Sequence, residues 1–343
     1  MLNSDGLQDL LTQPLELGPQ TISCRAILAP MAGITHVAFR QVLGQFGGYG
    51  LAYTEMCSAK AIAHGQKGQT GYFLFAEQEL KNLVCQIMGS EPEDLAAAAK
   101  VIEKCGFFGV DINMGCAVSR ICRQGAGAAL LKDPDRAARV VSRVRGAVSC
   151  PILVKYRTGW ADDPSFAAGM AKRFEDAGAD ALIFHPRVAP DKRSRPPKWE
   201  RITEVARAVS IPVFGNGNLN TPEDAAAMLE LTGCSGVALG RIAAARPWIF
   251  AQMSRGLQPS PQIMVQTAKD MARAIWSWYP SHIAQGLHKR FMTYFCANFA
   301  FGHTLRPKLC AGQSLEDMEA NIATLLCPCP QLLDRPNTLL LTW

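Results

Sequence analysis

Between residue 22 and about residue 250 the chain alternates short apolar runs with helical stretches, and no other feature narrows its fold as much. The runs are SCRAIL (23–28), GLAYT (50–54), NLVCQI (82–87), FGVDI (108–112), PILVKY (151–156), DALIFH (180–185), IPVFG (211–215) and GVAL (236–239). They are continuous rather than alternately polar, the pattern of strands covered on both faces. Helical stretches such as EPEDLAAAAKVIEK, DPDRAARVVSRVRGAV and TPEDAAAMLELTG lie between them. Ser90, Asp133 and Thr221 stand as N-caps ahead of a proline or an acidic first turn. Glycines in KCGFFGVDI, DAGADALIF and TGCSGVALG suit left-handed helix ends before the next strand. Eight such units over about 230 residues predict an α/β fold, the parallel (β/α)8 TIM barrel. The competing arrangement is an open doubly wound sheet. That fold carries its glycine fingerprint after the first strand, where this chain reads APMAGITHVAFR.

Beyond about residue 256 the pattern changes. PSPQ breaks the chain, and QIMVQTAKDMARAIWSW, GLHKRFMTYFCANFAF and SLEDMEANIATLL read as helices, the first two with aromatic faces. The expected organisation is a catalytic barrel over 1–255, with a short N-terminal extension, and a small helical domain over 256–343. Hydrophobic residues make up 48% and charged residues 19%, which excludes a disordered chain. No apolar run approaches the ~18 residues of a membrane span, so no membrane association is expected. MLNSDGLQDLLTQPLE has neither the basic start nor the apolar core of a secretory signal. The 12 cysteines are therefore expected as reduced thiols in the cytoplasm, not as a disulfide framework. The net charge of +6 leans towards an anionic partner.

Barrel chemistry is built at the C-terminal ends of the strands. The residues there are Pro30 and Met31, Glu55, Gln86, Asn113 and Cys116, Lys155 and Arg157, His185 and Arg187, Asn216 and Asn218, and Gly240 and Arg241. Most are polar, and a purely structural barrel has no reason to gather them on one rim. The loops after the seventh and eighth strands commonly hold a phosphate through backbone N–H groups, and Gly217, Gly240 and Arg241 fit one. Lys155 would set a positive charge beside an electron-rich cofactor ring, with Gln86 and His185 as hydrogen-bonding partners. Cys116, directly after Gly115, either fills a gap as a small hydrophobe or turns its thiol to a ligand.

The motifs APMAGITHVAFR, YTEMCSAKAI, CQIMGSEPEDLAAAAK, DINMGCAVSRICRQGAGAALLKDP, VKYRTGW, IPVFGNGNLNTPEDA and ALGRIAAARPWIF, in that order, resemble the tRNA-dihydrouridine synthase family. The resemblance implies FMN across the mouth of a (β/α)8 barrel, NADPH as reductant and tRNA as substrate, held in part by a helical C-terminal domain. It implies FMN binding by Met31, Gln86, Lys155, His185, Asn216, Gly217, Gly240 and Arg241, with Pro30 beside them. Asn113 and Arg157 would lie near the uracil, and Cys116 would be the acid that protonates C5 while reduced flavin delivers hydride to C6. A thiol in its ordinary state is mostly protonated at neutral pH and suits that task.

The chain also departs from the family pattern. Ala117 replaces the proline after the cysteine, which would slacken the thiol loop, and Arg120 replaces a lysine at an RNA contact. His36 stands where the family has aspartate. HPRVAPDKRSRPPKW keeps only His185, Arg187 and Trp199 of its counterpart.

Six cations (Arg187, Lys192, Arg193, Arg195, Lys198 and Arg201) crowd the loop after the sixth strand, a candidate phosphate surface. In the tail, Lys289, Arg290, Arg306 and Lys308 stand with Tyr294 and Phe295, although most of these aromatics read as core. Cys296, Cys310, Cys327 and Cys329 match no usual metal-ligand spacing, and no metal is expected. No protein partner is evident and a monomer is expected. Two other readings are an FMN barrel oxidoreductase acting on a small pyrimidine, of dihydroorotate dehydrogenase type, and a barrel that binds RNA without catalysis. The basic loop and aromatic tail argue against the first, and Cys116, Lys155 and His185 against the second.

Overall fold

In the computed structural model, which describes residues 2–65, 72–191 and 195–341, the apolar runs become a ring of parallel strands. They are β1 (Ala26–Leu28), β2 (Ala52–Tyr53), β3 (Leu83–Met88), β4 (Gly109–Met114), β5 (Ile152–Gly159), β6 (Ala181–Val188), β7 (Val213–Asn216) and β8 (Gly236–Leu239). Each pairs in parallel with the next from β2 through β8, and β8 returns to β1 with Val237 opposite Ala26. The last seam closes through a bridge between Ile27 and Leu51, where the Leu28 N–H donates to the Leu51 carbonyl at 2.9 Å. Closure removes the free sheet edges.

The outer helices are α1 (Val37–Phe46), α2 (Ala59–Ala63), α3 (Pro92–Lys104), α4 (Pro134–Arg145), α5 (Pro164–Asp176), α6 (Glu200–Ala208), α7 (Pro222–Thr232) and α8 (Ile249–Arg255). Asp133 caps α4, accepting from the Arg136 N–H at 2.9 Å, and Thr221 forms a reciprocal capping box with Asp224. At α3 the expectation is off by one residue. Pro92 takes the first helical position, so Glu91 rather than Ser90 is the cap residue. Gly106, Gly178 and Gly233 take φ of 85°, 97° and 65°, the left-handed conformation those helix ends require.

Two elements were not legible in the sequence. A helix, Ser4–Leu11, is capped by Asn3 and buries Leu7 and Leu11. It is followed by a hairpin of Leu15–Leu17 with Gln20–Ile22. Leu17 and Ile22 of the hairpin join Ile27, Leu51, Leu153, Ile183 and Phe214 in one apolar cluster inside the barrel. The Gln20 amide donates to the Phe108 carbonyl just before β4, at 3.2 Å. The hairpin therefore plugs the N-terminal end of the barrel and forms its floor.

The tail comprises α9 (Pro261–Trp278), α10 (Ser281–Phe295), α11 (Gly302–Leu309) and α12 (Leu315–Leu326). Pro307 lies inside α11 and hides that helix from a pattern reading. Buried Arg246, after β8, ties the tail to the barrel. It donates to Asn298 Oδ1 at 2.7 Å and to the carbonyls of Leu333 and Asp334 at 2.6 and 2.9 Å. Phe295 stacks on Phe291 and meets Trp248 edge-on, so these tail aromatics are core. Among the described residues, no helix is long and apolar enough to cross a membrane.

Candidate active site at the barrel mouth

Alternate side chains of a strand face the same way, and this parity builds the site. On β5, Leu153 joins the apolar cluster while Lys155 and Arg157 line the cavity above it. Ile183 likewise lies below His185 and Arg187 on β6, and Phe214 below Asn216 on β7. The cavity holds about 400 Å³, within the usual range of small-ligand sites. Pro30, Met31, Gln86, Asn113, Cys116, Lys155, Arg157, His185, Arg187, Asn216, Gly217, Gly240 and Arg241 all line it. Arg120 does not. It lies exposed on the helical turn Ser119–Cys122, one turn beyond the thiol. Met56, Val118 and Tyr294 also line the cavity and were not predicted as site residues. Tyr294 comes from α10, so the tail contributes to the wall.

Cys116 is half-buried at the cavity wall. Hydrogen bonds hold the backbone on both sides of the thiol, up to Ala117. Asn113 Oδ1 accepts from the N–H groups of Gly115 and Cys116, at 3.2 and 2.9 Å. The Cys116 carbonyl accepts from the Ala128 N–H at 2.9 Å, and the Gly115 carbonyl from Arg157 Nε at 2.7 Å. Gly127 must be glycine, because a Cβ there would come within 2.6 Å of the Cys116 carbonyl oxygen, at a φ of 62°.

Burial dominates the electrostatics. It pulls the Lys155 ammonium below its ordinary range, helped by Arg157 and opposed by Asp111. It pushes the Asp111 carboxyl up, opposed by a hydrogen bond from Gln86 and the charge of Lys155. His185 is held far below its usual range by burial and then by Arg157, Lys155, Arg187 and Arg241, so its ring is neutral at pH 7. Lys155 Nζ lies 3.4 Å from Asn216 Oδ1. Across the mouth from Cys116, Arg187 of β6 and Arg241 after β8 converge on Asn218 Oδ1, in the loop after β7, at 3.2 and 3.3 Å. Arg241 also donates to the Leu341 carbonyl at 2.8 Å, and two guanidinium groups side by side at the mouth suit an anionic ligand such as a phosphate. The position a Cβ would take on Gly240 meets only Met31 Sδ, at 3.6 Å, so the backbone there is open to a close-lying ligand. A cation-rich cavity with a phosphate cradle fits FMN.

A family profile described as dihydrouridine synthase (Dus) matches residues 27–325. The chain belongs to the dihydrouridine synthase family. It is 32% identical over 320 residues to tRNA-dihydrouridine synthase B of Pseudomonas aeruginosa, covering 91% of this chain and 94% of that one. It is 36% identical over 243 residues to tRNA-dihydrouridine synthase B of Xanthomonas campestris pv. campestris, covering 71% and 73%. Among solved structures, a variant of NCR from Zymomonas mobilis shares the barrel at 18% identity, with a TM-score of 0.52 over 73% of this chain and 92% of that one.

The departures from the dihydrouridine synthase pattern now have physical readings. His36 is the N-cap of α1, and its Nδ1 accepts from the Phe39 N–H at 3.2 Å. A neutral imidazole thus caps this helix. Burial pushes its pKa down to about 3, aided by Arg40 and Arg290, which keeps Nδ1 free to accept. The basic loop is more neutralised than its sequence suggests. Arg187 is buried in the mouth, Arg195 pairs with Asp191 at 2.8 Å, and Lys198 and Arg201 share Asp162. Lys192 and Arg193 lie outside the described residues. Cys296 is buried and Cys327 exposed, and among the described residues no group of side chains gathers to hold a metal.

Proposed function

We propose that the barrel mouth binds FMN and reduces the C5–C6 double bond of uridine in cytoplasmic tRNA to dihydrouridine, with electrons from NADPH. When bound and reduced, FMN supplies the hydride that adds at C6. Arg241, with the backbone of Gly217 and Gly240, would hold its phosphate, and Arg187 beside it would meet the RNA substrate. Lys155, Gln86 and His185 would meet the ring system and its chain, with Met31, Pro30 and Asn216 completing the wall. Asn113 and Arg157 would orient an extruded uracil, since a base stacked in folded RNA must leave the stack to reach a cavity. Cys116 would give its proton to C5 on the face away from the hydride donor, and solvent would reprotonate the sulfur.

The tail, taken as an RNA-holding domain over 256–343, presents Lys289 and Lys308 on its exposed surface. Arg120, exposed outside the cavity, would meet RNA beyond the extruded base. The observation that carries this reading is the layout of one mouth. The thiol loop follows β4, and the cationic cluster lies across the mouth, from Arg187 of β6 to the loops after β7 and β8, with Lys155 of β5 between them. Nucleoside analysis of tRNA from a strain lacking this chain tests it. Loss of dihydrouridine at one or more positions is expected, and unchanged dihydrouridine everywhere contradicts the reading.

A further inference from the structure

Beneath the thiol lies a carboxyl group to which no site role has been given. Asp111 faces the barrel interior from β4, two residues before Asn113, and has no exposed surface. In the sheet register it lies opposite Gln86 of β3. Its Oδ2 accepts from Gln86 Nε2 at 2.6 Å, and Gln86 Oε1 accepts from Asn113 Nδ2 at 2.9 Å. Asn113 Oδ1 then takes the N–H groups of Gly115 and Cys116, at 3.2 and 2.9 Å.

Each link fixes the next. An accepting oxygen on Asp111 requires Gln86 to turn its nitrogen inward and its oxygen towards Asn113. Asn113 must then give its nitrogen to Gln86, which leaves its oxygen for the loop. If either amide turned over, two donors or two acceptors would face each other, at a cost comparable to a lost buried hydrogen bond. The chain of bonds runs from the barrel interior to the backbone of the residue that bears the sulfur.

We propose that Asp111 is a positioning residue for the Cys116 thiol, setting the amide orientations of Gln86 and Asn113 and through them the course of the loop at 115–116. Its bearing on turnover rests on the reading of Cys116 as proton donor. Its bearing on loop order does not.

The test uses the full chain and reads hydrogen exchange at the Gly115 and Cys116 amides in protein free of flavin, together with turnover on tRNA at saturating FMN. In Asp111→Ala, exchange at those two amides rises about tenfold and turnover falls about tenfold, as expected for a buried bond left unmade. Asp111→Asn still offers an oxygen to Gln86, so both quantities stay within about threefold of wild type. Gln86→Met cuts the chain in its middle, and the same rise in exchange at 115–116 is expected there. This serves if Asp111→Ala does not fold. Unchanged exchange at 115–116 in Asp111→Ala or Gln86→Met overturns the proposal, as does an equal rise across all the barrel strands. Full turnover in Cys116→Ala would instead contradict the proton-donor reading and leave the exchange result to judge the relay.

Discussion

Leu153 and Lys155 point the same way from the same strand, two residues apart, yet they belong to different halves of the barrel. Leu153 has no exposed surface and sits among the residues sealed below by the N-terminal hairpin. Burying a side chain of that kind stabilises the fold by about 1.5–3 kcal/mol. Lys155 sits one layer higher, where burial and then the charge of Arg157 pull its ammonium down, opposed by Asp111. A desolvated cation is a poor way to stabilise a barrel and a good way to meet an anionic or electron-rich ligand. The floor therefore holds the fold and the mouth holds the chemistry, and the boundary between them falls within single strands.

The division is open to test, from the largest expected effect on stability to the smallest. Leu153→Ala should lower unfolding free energy by about 2–5 kcal/mol in denaturant titration. Its FMN affinity should stay unchanged. A large fall in FMN affinity with unaltered stability would break the division.

Glu55, after β2, is not among the residues that line the cavity. It is a buried carboxyl pushed up to about 7 by burial, with a short bond from the Gly33 N–H and the charges of Arg40 and Arg290 opposing. The folded state holds this proton more tightly than the unfolded chain does. Its stabilising contribution is therefore present in acid and is lost as pH rises from about 4.5 through 7. Wild type should lose about 1–3 kcal/mol relative to Glu55→Gln between about pH 5 and 8. Parallel stability profiles would mean that the fold does not desolvate this group. Smallest is His36→Ala, which removes the cap of α1 and should cost about 1 kcal/mol at pH 7.

The strands were legible because each is apolar on both faces, and the mouth because polar residues stand at strand ends. Other elements left weaker marks. The floor hairpin has only three residues per strand, too few for a period to show. Pro307 disguised α11. Asp111 did carry a signal: an acidic residue inside GVDI, on the same parity as Asn113, is out of place in a buried strand unless it has a partner. Tyr294 could not be placed, because only tertiary packing brings α10 to the mouth. The pairing of Lys198 and Arg201 was not legible in the basic loop, since Asp162 lies in a different loop from the cations it pairs with.

The central claim is that Cys116 completes the reaction from the wall facing the cradle while contributing little to the fold. The most direct measurement compares dihydrouridine formed in tRNA by wild type and by Cys116→Ala, each with FMN and NADPH, alongside bound flavin and melting temperature. The account predicts a fall of about 10²–10⁴-fold in product, with flavin retained and melting unchanged. Equal product from the two proteins, or none from wild type, would contradict it.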